Sequence, residues 1–156
     1  MRIAVIADTH DRLPESVCES IRSADEIWHL GDVCSPIILA TLERLAPVRV
    51  VRGNCDSETA WPLTLDFTLE GLRFHLEHIP SKKPPACDLF LHGHTHVPRD
   101  ETIGGVRFLN PGCITRPNRG APASYAWLTL GGGKLIWKIM PVQAPAKDHF
   151  RGWNAR

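Results

Sequence analysis

Short apolar, branched runs alternate with polar clusters through the first third of the chain. Arg2 to Ala7 reads as a buried strand that stops at Asp8-Thr9-His10-Asp11. Pro14 to Ser23 reads as a helix, with Pro near its start and Val17 and Ile21 on one face. Glu26 to Leu30 is a second strand, ending at Gly31-Asp32. Ser35 to Leu45 is a second helix: Ser35 can cap it, Pro36 fits its first position, and Ile38, Leu42 and Leu45 form its apolar stripe. Val48 to Arg52 is a third strand, closed by Gly53-Asn54-Cys55-Asp56. Strand–helix–strand order predicts a parallel sheet, and such sheets bind ligands outside the carboxyl ends of their strands.

The later pattern is mostly β. Leu63 to Glu70 and Leu72 to His78 flank Gly71 as a hairpin. Asp88 to Leu91, Val97 to Thr102, Val106 to Leu109, Ser124 to Leu130 and Lys134 to Met140 also read as strands, with turns at Gly104-Gly105 and Gly131-Gly132-Gly133. No repeat or linker divides the chain. The expected organisation is one α/β domain over residues 1–140 and a tail over 141–156, which Phe150 and Trp153 would dock.

Composition narrows the function. The 156 residues are 43% hydrophobic, enough to build a core. Eighteen basic and 17 acidic side chains leave a net charge of +1, so no electrostatic footprint points to nucleic acid or an anionic membrane. No apolar run approaches the roughly 20 residues of a membrane span. The run Ile3 to Ala7 is stopped by Asp8, too soon for the apolar region of a secretory signal. The five cysteines are odd in number and never spaced as CxxC, so reduced thiols in a cytoplasmic protein are the expectation.

The chemistry lies at the strand ends. Asp8, His10, Asp32, Asn54, His78, His94 and His96 each follow or end a strand and offer oxygen or imidazole donors. Seven donors exceed what one ion with an open position takes, and point to two ions sharing a carboxylate. Nitrogen and oxygen donors without thiolate suit manganese, iron, zinc, nickel or magnesium; manganese is the first expectation, although composition does not choose among them. Two ions roughly 3.5–4 Å apart serve in-line displacement at phosphorus.

Asp8-Thr9-His10, His29-Leu30-Gly31-Asp32-Val33, Gly53-Asn54-Cys55-Asp56, Gly93-His94-Thr95-His96 and Asn110-Pro111-Gly112 occur in that order. Together, from Arg2 to about Pro117, they resemble the calcineurin-like metallophosphoesterase family, and most closely its small bacterial and archaeal phosphodiesterase branch. The resemblance implies a four-layer αββα sandwich of two mixed β-sheets flanked by helices. It implies one ion held by Asp8, His10, Asp32 and His96, and a second by Asp32, Asn54, His78 and His94, with Asp32 bridging. Asp32, Asn54, His94 and His96 would be the catalytic residues, and a bridging hydroxide would attack a small phosphoester in line. Asn54, Cys55 and Arg116 are the expected substrate contacts.

Three features depart from the family pattern. Cys55 stands where many relatives have His near the leaving group, and a thiol is a weak proton donor at neutral pH. Ile79 follows His78 where relatives keep glycine, which narrows access to the second ion. His75 is the fallback ligand, on the opposite strand face. Between His78 and Asp88, three prolines (Pro80, Pro84, Pro85) leave no room for the helix relatives have there. One sheet face is then under-covered and predicts self-association. The competing reading is a scaffold, as in the retromer subunit that shares this fold and has lost ligands. His29 and His92 are read as structural, Asn110 to Gly112 as a turn near the ions, Trp61 as packing, and His149 as solvated.

Overall fold

The computed structural model describes residues 1–143, so the docking of Phe150 and Trp153 and the setting of His149 lie outside the described residues. The elements run β1 (Arg2–Ile6), α1 (Glu15–Ile21), β2 (Glu26–His29), α2 (Pro36–Glu43), β3 (Val48–Val50), β4 (Thr64–Leu69), β5 (Leu72–Glu77), β6 (Leu89–Leu91), β7 (Arg99–Ile103), β8 (Val106–Asn110), β9 (Ser124–Gly131) and β10 (Lys134–Pro141). One sheet has the order β10-β9-β1-β2-β3, the other β4-β5-β6-β8-β7. Both are mixed. β1, β2 and β3 are parallel, as are β5, β6 and β8, while β9, β10, β4 and β7 join antiparallel.

The period of two along β1 sorts its side chains into two cores. Ile3, Val5 and Ala7 face the second sheet with Trp28, Leu30, Ala126 and Leu128. Ala4 and Ile6 face α1 and α2, against Val17, Ile21, Ile38 and Leu42. Both faces of β1 are therefore dry, which is why it reads as an unbroken apolar run. From the second sheet, Phe74, Leu76, Leu89, Leu91 and Leu109 complete the inter-sheet core. Trp28 meets Phe67 and Phe74 edge-on, each at 5.2 Å between ring centres, and locks β2 over β4 and β5.

Ser35 caps α2 as expected. Its hydroxyl accepts the Ile37 N–H and Pro36 occupies the first turn, an arrangement worth about 1 kcal/mol. α1 is shorter than the apolar spacing predicts and has no side-chain cap, because Pro14 itself stands at the capping position.

Two mixed sheets lie face to face with helices against the first, an α/β sandwich showing three of the four expected layers among the described residues. Among the described residues no helix covers the outer face of the second sheet. The segment 79–88 crosses to β6 without one, as its prolines require. Phe90, Phe108 and Cys87 form only a small cluster on that face.

Candidate metal centre

Each predicted donor leaves the carboxyl end of a strand, and the two sheets bring those ends together. Asp8 and His10 follow β1, Asp32 follows β2, Asn54 follows β3, His78 follows β5, and His94 and His96 follow β6. Neighbouring loops are stitched by their backbones: Asp8 N–H donates to Gly31 at 3.0 Å, His10 N–H to Asp32 at 3.0 Å, and Gly93 N–H to His78 at 3.1 Å.

The approach is close enough to require glycine. A Cβ on Gly31 would sit 2.7 Å from His78 Nδ1, and one on Gly53 would collide with the Asp32 carboxylate and amide. Asp8, His10, Asp32, His94 and His96 all adopt positive φ, between 43° and 67°. That conformation is rare for non-glycine residues and persists where surrounding structure enforces it, a mark of functional loops.

The donor atoms converge. Asp8 Oδ1 lies 3.2 Å from His96 Nε2 and 3.8 Å from His10 Nε2. The two imidazole Nε2 atoms face each other at 3.3 Å. Asp32 Oδ2 lies 3.2 Å from His78 Nε2 and 3.8 Å from His10 Nε2, between the two groups. On the far side His94 Nδ1 lies 3.1 Å from Asn54 Oδ1. Asp8, Asp32 and His78 are buried; Asn54 and His94 are exposed at the rim.

Outer partners fix the rings. His78 Nδ1 donates to the Leu30 carbonyl at 2.7 Å, and His96 Nδ1 to the Arg116 carbonyl at 2.6 Å. In the neutral ring this leaves each Nε2 lone pair aimed at carboxylate oxygens. Lone pairs facing lone pairs repel unless a proton or a metal cation lies among them. Two of these buried atoms, Asp8 Oδ1 and His78 Nε2, have no hydrogen-bond partner. The donor set therefore fits divalent cations.

The electrostatics agree. Burial pushes the Asp8 carboxyl up to about 6. Asp32 stays well below the ordinary carboxylate range although burial opposes it, because His78 and the Cys55 N–H (2.9 Å from Oδ1) favour its charge. The nearby Asp32 and Asp8 carboxylates raise the His78 pKa against the effect of burial. Burial lowers His10 and His94, keeping them neutral as ligation requires.

Asp56 is the residue that motif reading passes over. Its carboxylate accepts the N–H groups of Asp32 (3.0 Å), Cys34 (2.7 Å) and Gly53 (2.7 Å), tying the loop after β2 to the loop after β3. The only signal was its place at the end of Gly53-Asn54-Cys55-Asp56. His29 has the structural role expected of it: its Nδ1 accepts the Gly31 N–H and its Nε2 pairs with Thr9 Oγ1, and burial holds its pKa down at about 3. His92 is likewise buried. Asn110 donates to the Gly93 carbonyl and Thr95 Oγ1 and accepts the Gly112 N–H, so the Asn-Pro-Gly stretch braces the loop carrying His94 and His96. His75 lies apart from the cluster, bonded to Asp66 at 2.7 Å. Trp61 packs against the helix-side core. Arg116 presents its carbonyl to His96, and its side chain is exposed.

Two grooves flank the cluster. One, of about 530 Å³, is lined by His94, Thr95, Arg99, Asn118 and Arg119. The other, of about 360 Å³, is lined by Asn54, Leu63, His78 and Ile79.

Comparison with known proteins agrees with this geometry. The model of the calcineurin-like phosphoesterase superfamily domain matches residues 1–133. A probable metallophosphoesterase of Methanothermobacter thermautotrophicus is 36% identical, over 93% of this chain and 95% of that protein. The phosphodiesterase YfcE of Escherichia coli is 33% identical over 82% of this chain and 87% of its own. The structure of YfcE superposes with a TM-score of 0.74 at 29% identity, covering 92% of this chain and 100% of that one. Zinc-complexed Vps29 of Entamoeba histolytica shares the fold, with a TM-score of 0.73 at 21% identity over 92% of this chain and 100% of that one. The chain belongs to the calcineurin-like phosphoesterase superfamily of metal-dependent phosphoester hydrolases, in its small bacterial and archaeal branch.

Proposed function

We propose that this protein is a dinuclear-metal phosphodiesterase. The observation that carries the reading is the position of Asp32 Oδ2 between His10 and His78, at 3.8 and 3.2 Å, with Asp8 and His96 beside the first and Asn54 and His94 beyond the second. Asp8, His10, Asp32 and His96 would hold one ion, and Asp32, Asn54, His78 and His94 the other. Manganese is the first choice of metal. When bound, the ions supply Lewis-acid activation of water and neutralise charge that develops at phosphorus.

The protein's own groups do the rest. Asn54 and His94, exposed at the rim, meet the phosphate oxygens. The Arg116 carbonyl orients His96, and its exposed guanidinium is available to a phosphate arm. The Cys55 thiol keeps its proton, because burial and Asp32 push its pKa up. It is a poor proton donor, so esters with acidic leaving groups are favoured. A groove on either side of the cluster accommodates two ester arms, which supports diesters over monoesters.

Metal analysis of the purified protein, paired with manganese-dependent hydrolysis of bis(p-nitrophenyl) phosphate, tests the reading. Asn54→Ala is the control. Two bound ions per chain, with turnover lost in the variant, is the expected result. Double loading without turnover on any ester would reassign the protein as a scaffold.

A second reading concerns the uncovered sheet face. A groove of about 630 Å³ there is lined by Pro84, Pro85, Val106, Phe108 and Ile103, the last half exposed. The lack of a covering helix supports self-association through this face. Sedimentation at rising concentration tests it, and a monomer throughout would remove it. The setting is cytoplasmic in this reading. All five cysteines are unpaired, and no helix among the described residues is long and apolar enough to cross a membrane.

A further inference from the structure

Both grooves beside the metal cluster mix polar and apolar lining. The larger has Pro80, Val97 and Pro98 beside His94, Thr95, Asn118, Arg119 and the Arg99–Glu101 pair. The smaller has Arg52, Thr64 and Glu77 beside Leu63, 59% exposed, and Ile79, 51% exposed. Few large apolar side chains are left this open among the described residues, and these two share one groove. Their meeting follows from the sheet register. Thr64 pairs with Glu77, so Leu63 extends β4 alongside His78, and Ile79 is the next residue along. The Arg52 N–H donates to the Pro62 carbonyl at 2.7 Å and holds the start of this edge in place. Exposed apolar surface in a concave site is what a ligand's apolar part covers, and about 360 Å³ falls within the range of small-molecule sites.

We infer that the groove of Leu63 and Ile79 is an apolar subsite for one arm of a phosphodiester, with Leu63 and Ile79 as specificity-determining residues. The occupant is an aryl, nucleobase or comparable flat apolar group. The inference rests on the phosphodiester reading, because the groove is continuous with the cluster through Asn54 and His78. The opposite groove, with Asn118 and Arg119, receives the other arm. The protein then selects diesters with at least one apolar substituent. The branched residue after His78 does more than restrict access: it forms one wall of the subsite.

Calorimetric titration of the manganese-loaded protein with methylphenylphosphinate and with dimethylphosphinate tests this. Both carry only P–C substituents, with no ester bond to hydrolyse, so binding is read without turnover. Wild type should bind the phenyl ligand at least about tenfold more tightly. In the double variant Leu63→Ser, Ile79→Ser the ratio should fall to about two, because the phenyl Kd rises while the dimethyl Kd stays. Both positions are exposed, and an unchanged melting temperature and manganese content would show an intact fold and cluster. Equal affinities in wild type, or a ratio the double variant leaves unchanged, would overturn the subsite. Preferential phenyl binding without hydrolysis of bis(p-nitrophenyl) phosphate would keep the subsite and remove the enzymatic reading. Hydrolysis with equal affinities would do the reverse.

Discussion

Asp56 accepts the backbone N–H of Asp32 at 3.0 Å, so the loop after β3 holds the carboxylate that the loop after β2 presents to the cluster. The same carboxylate takes the N–H groups of Cys34 and Gly53. Asp32 and Cys34 have positive φ, 56° and 69°, and these bonds offset the strain of that conformation. Asp56→Ala should weaken manganese binding about 10–100-fold, the usual effect of losing an outer-sphere partner. Titration calorimetry measures it. At saturating metal most of kcat should return, since Asp56 touches neither substrate nor ion.

Chelation should lower thermal stability. Asp8 and Asp32 are 0% and 2% exposed, and bringing their charges together costs folding energy that a bound cation offsets. A ligand at 100 times its Kd stabilises by about 2.7 kcal/mol, or about 5–10 °C for a chain of this length. Melts with manganese and with EDTA should differ by that much. In Asp32→Asn the difference should largely vanish. A manganese shift that survives the substitution would place the ion elsewhere.

Cys55 predicts a steep dependence on leaving group. With its thiol pKa raised by burial and Asp32, it transfers a proton poorly. Rates should therefore fall sharply from nitrophenyl to alkyl leaving groups. Cys55→His supplies an acid with a suitable pKa, and general acids contribute about 10²–10⁴-fold. At least a tenfold gain on alkyl esters is expected, with little change on nitrophenyl esters. No gain on the alkyl esters would mean that the proton comes from another source.

Most of the cluster was legible because every donor stands within a few residues of a strand end, and parallel order alone carries those ends to one side. Asp8, Asp32 and Asn54 needed no knowledge of side-chain contacts. Asp56 was not legible in the same way. Its partners are backbone groups, and those at Asp32 and Cys34 lie over twenty positions away, so no pattern of residue types marks the bonds. Leu63 read as an ordinary strand residue, and its exposure depends on where β4 ends against His78, a tertiary fact. The missing helix was legible because proline acts locally: Pro80, Pro84 and Pro85 remove donors wherever the segment lies. The short α1 was not, since Val17 and Ile21 fix its face but not its ends.

Asp88 stands immediately before β6. Its carboxylate accepts the Arg73 backbone N–H at 2.8 Å, and Arg73 Nε and Nη2 at 3.1 and 2.7 Å, joining β5 to β6 away from the cluster. These bonds from Arg73 hold its pKa at about 2, against about 3.9 for an unfolded aspartate. A carboxylate whose pKa is lower in the folded state binds fewer protons there. It adds stability above pH about 4, and that stability is lost as pH falls from about 4 to about 2. Asp88→Asn keeps the shape and one acceptor but removes the charge. Its melting temperature should lie slightly below wild type at pH 7, by a few degrees at most because the pair is solvent-exposed. The gap should narrow between pH 4 and pH 3, and shrink in 1 M salt. A gap that stays constant from pH 7 to pH 3 would show that the charge of Asp88 contributes nothing and that its hydrogen bonds alone join the strands.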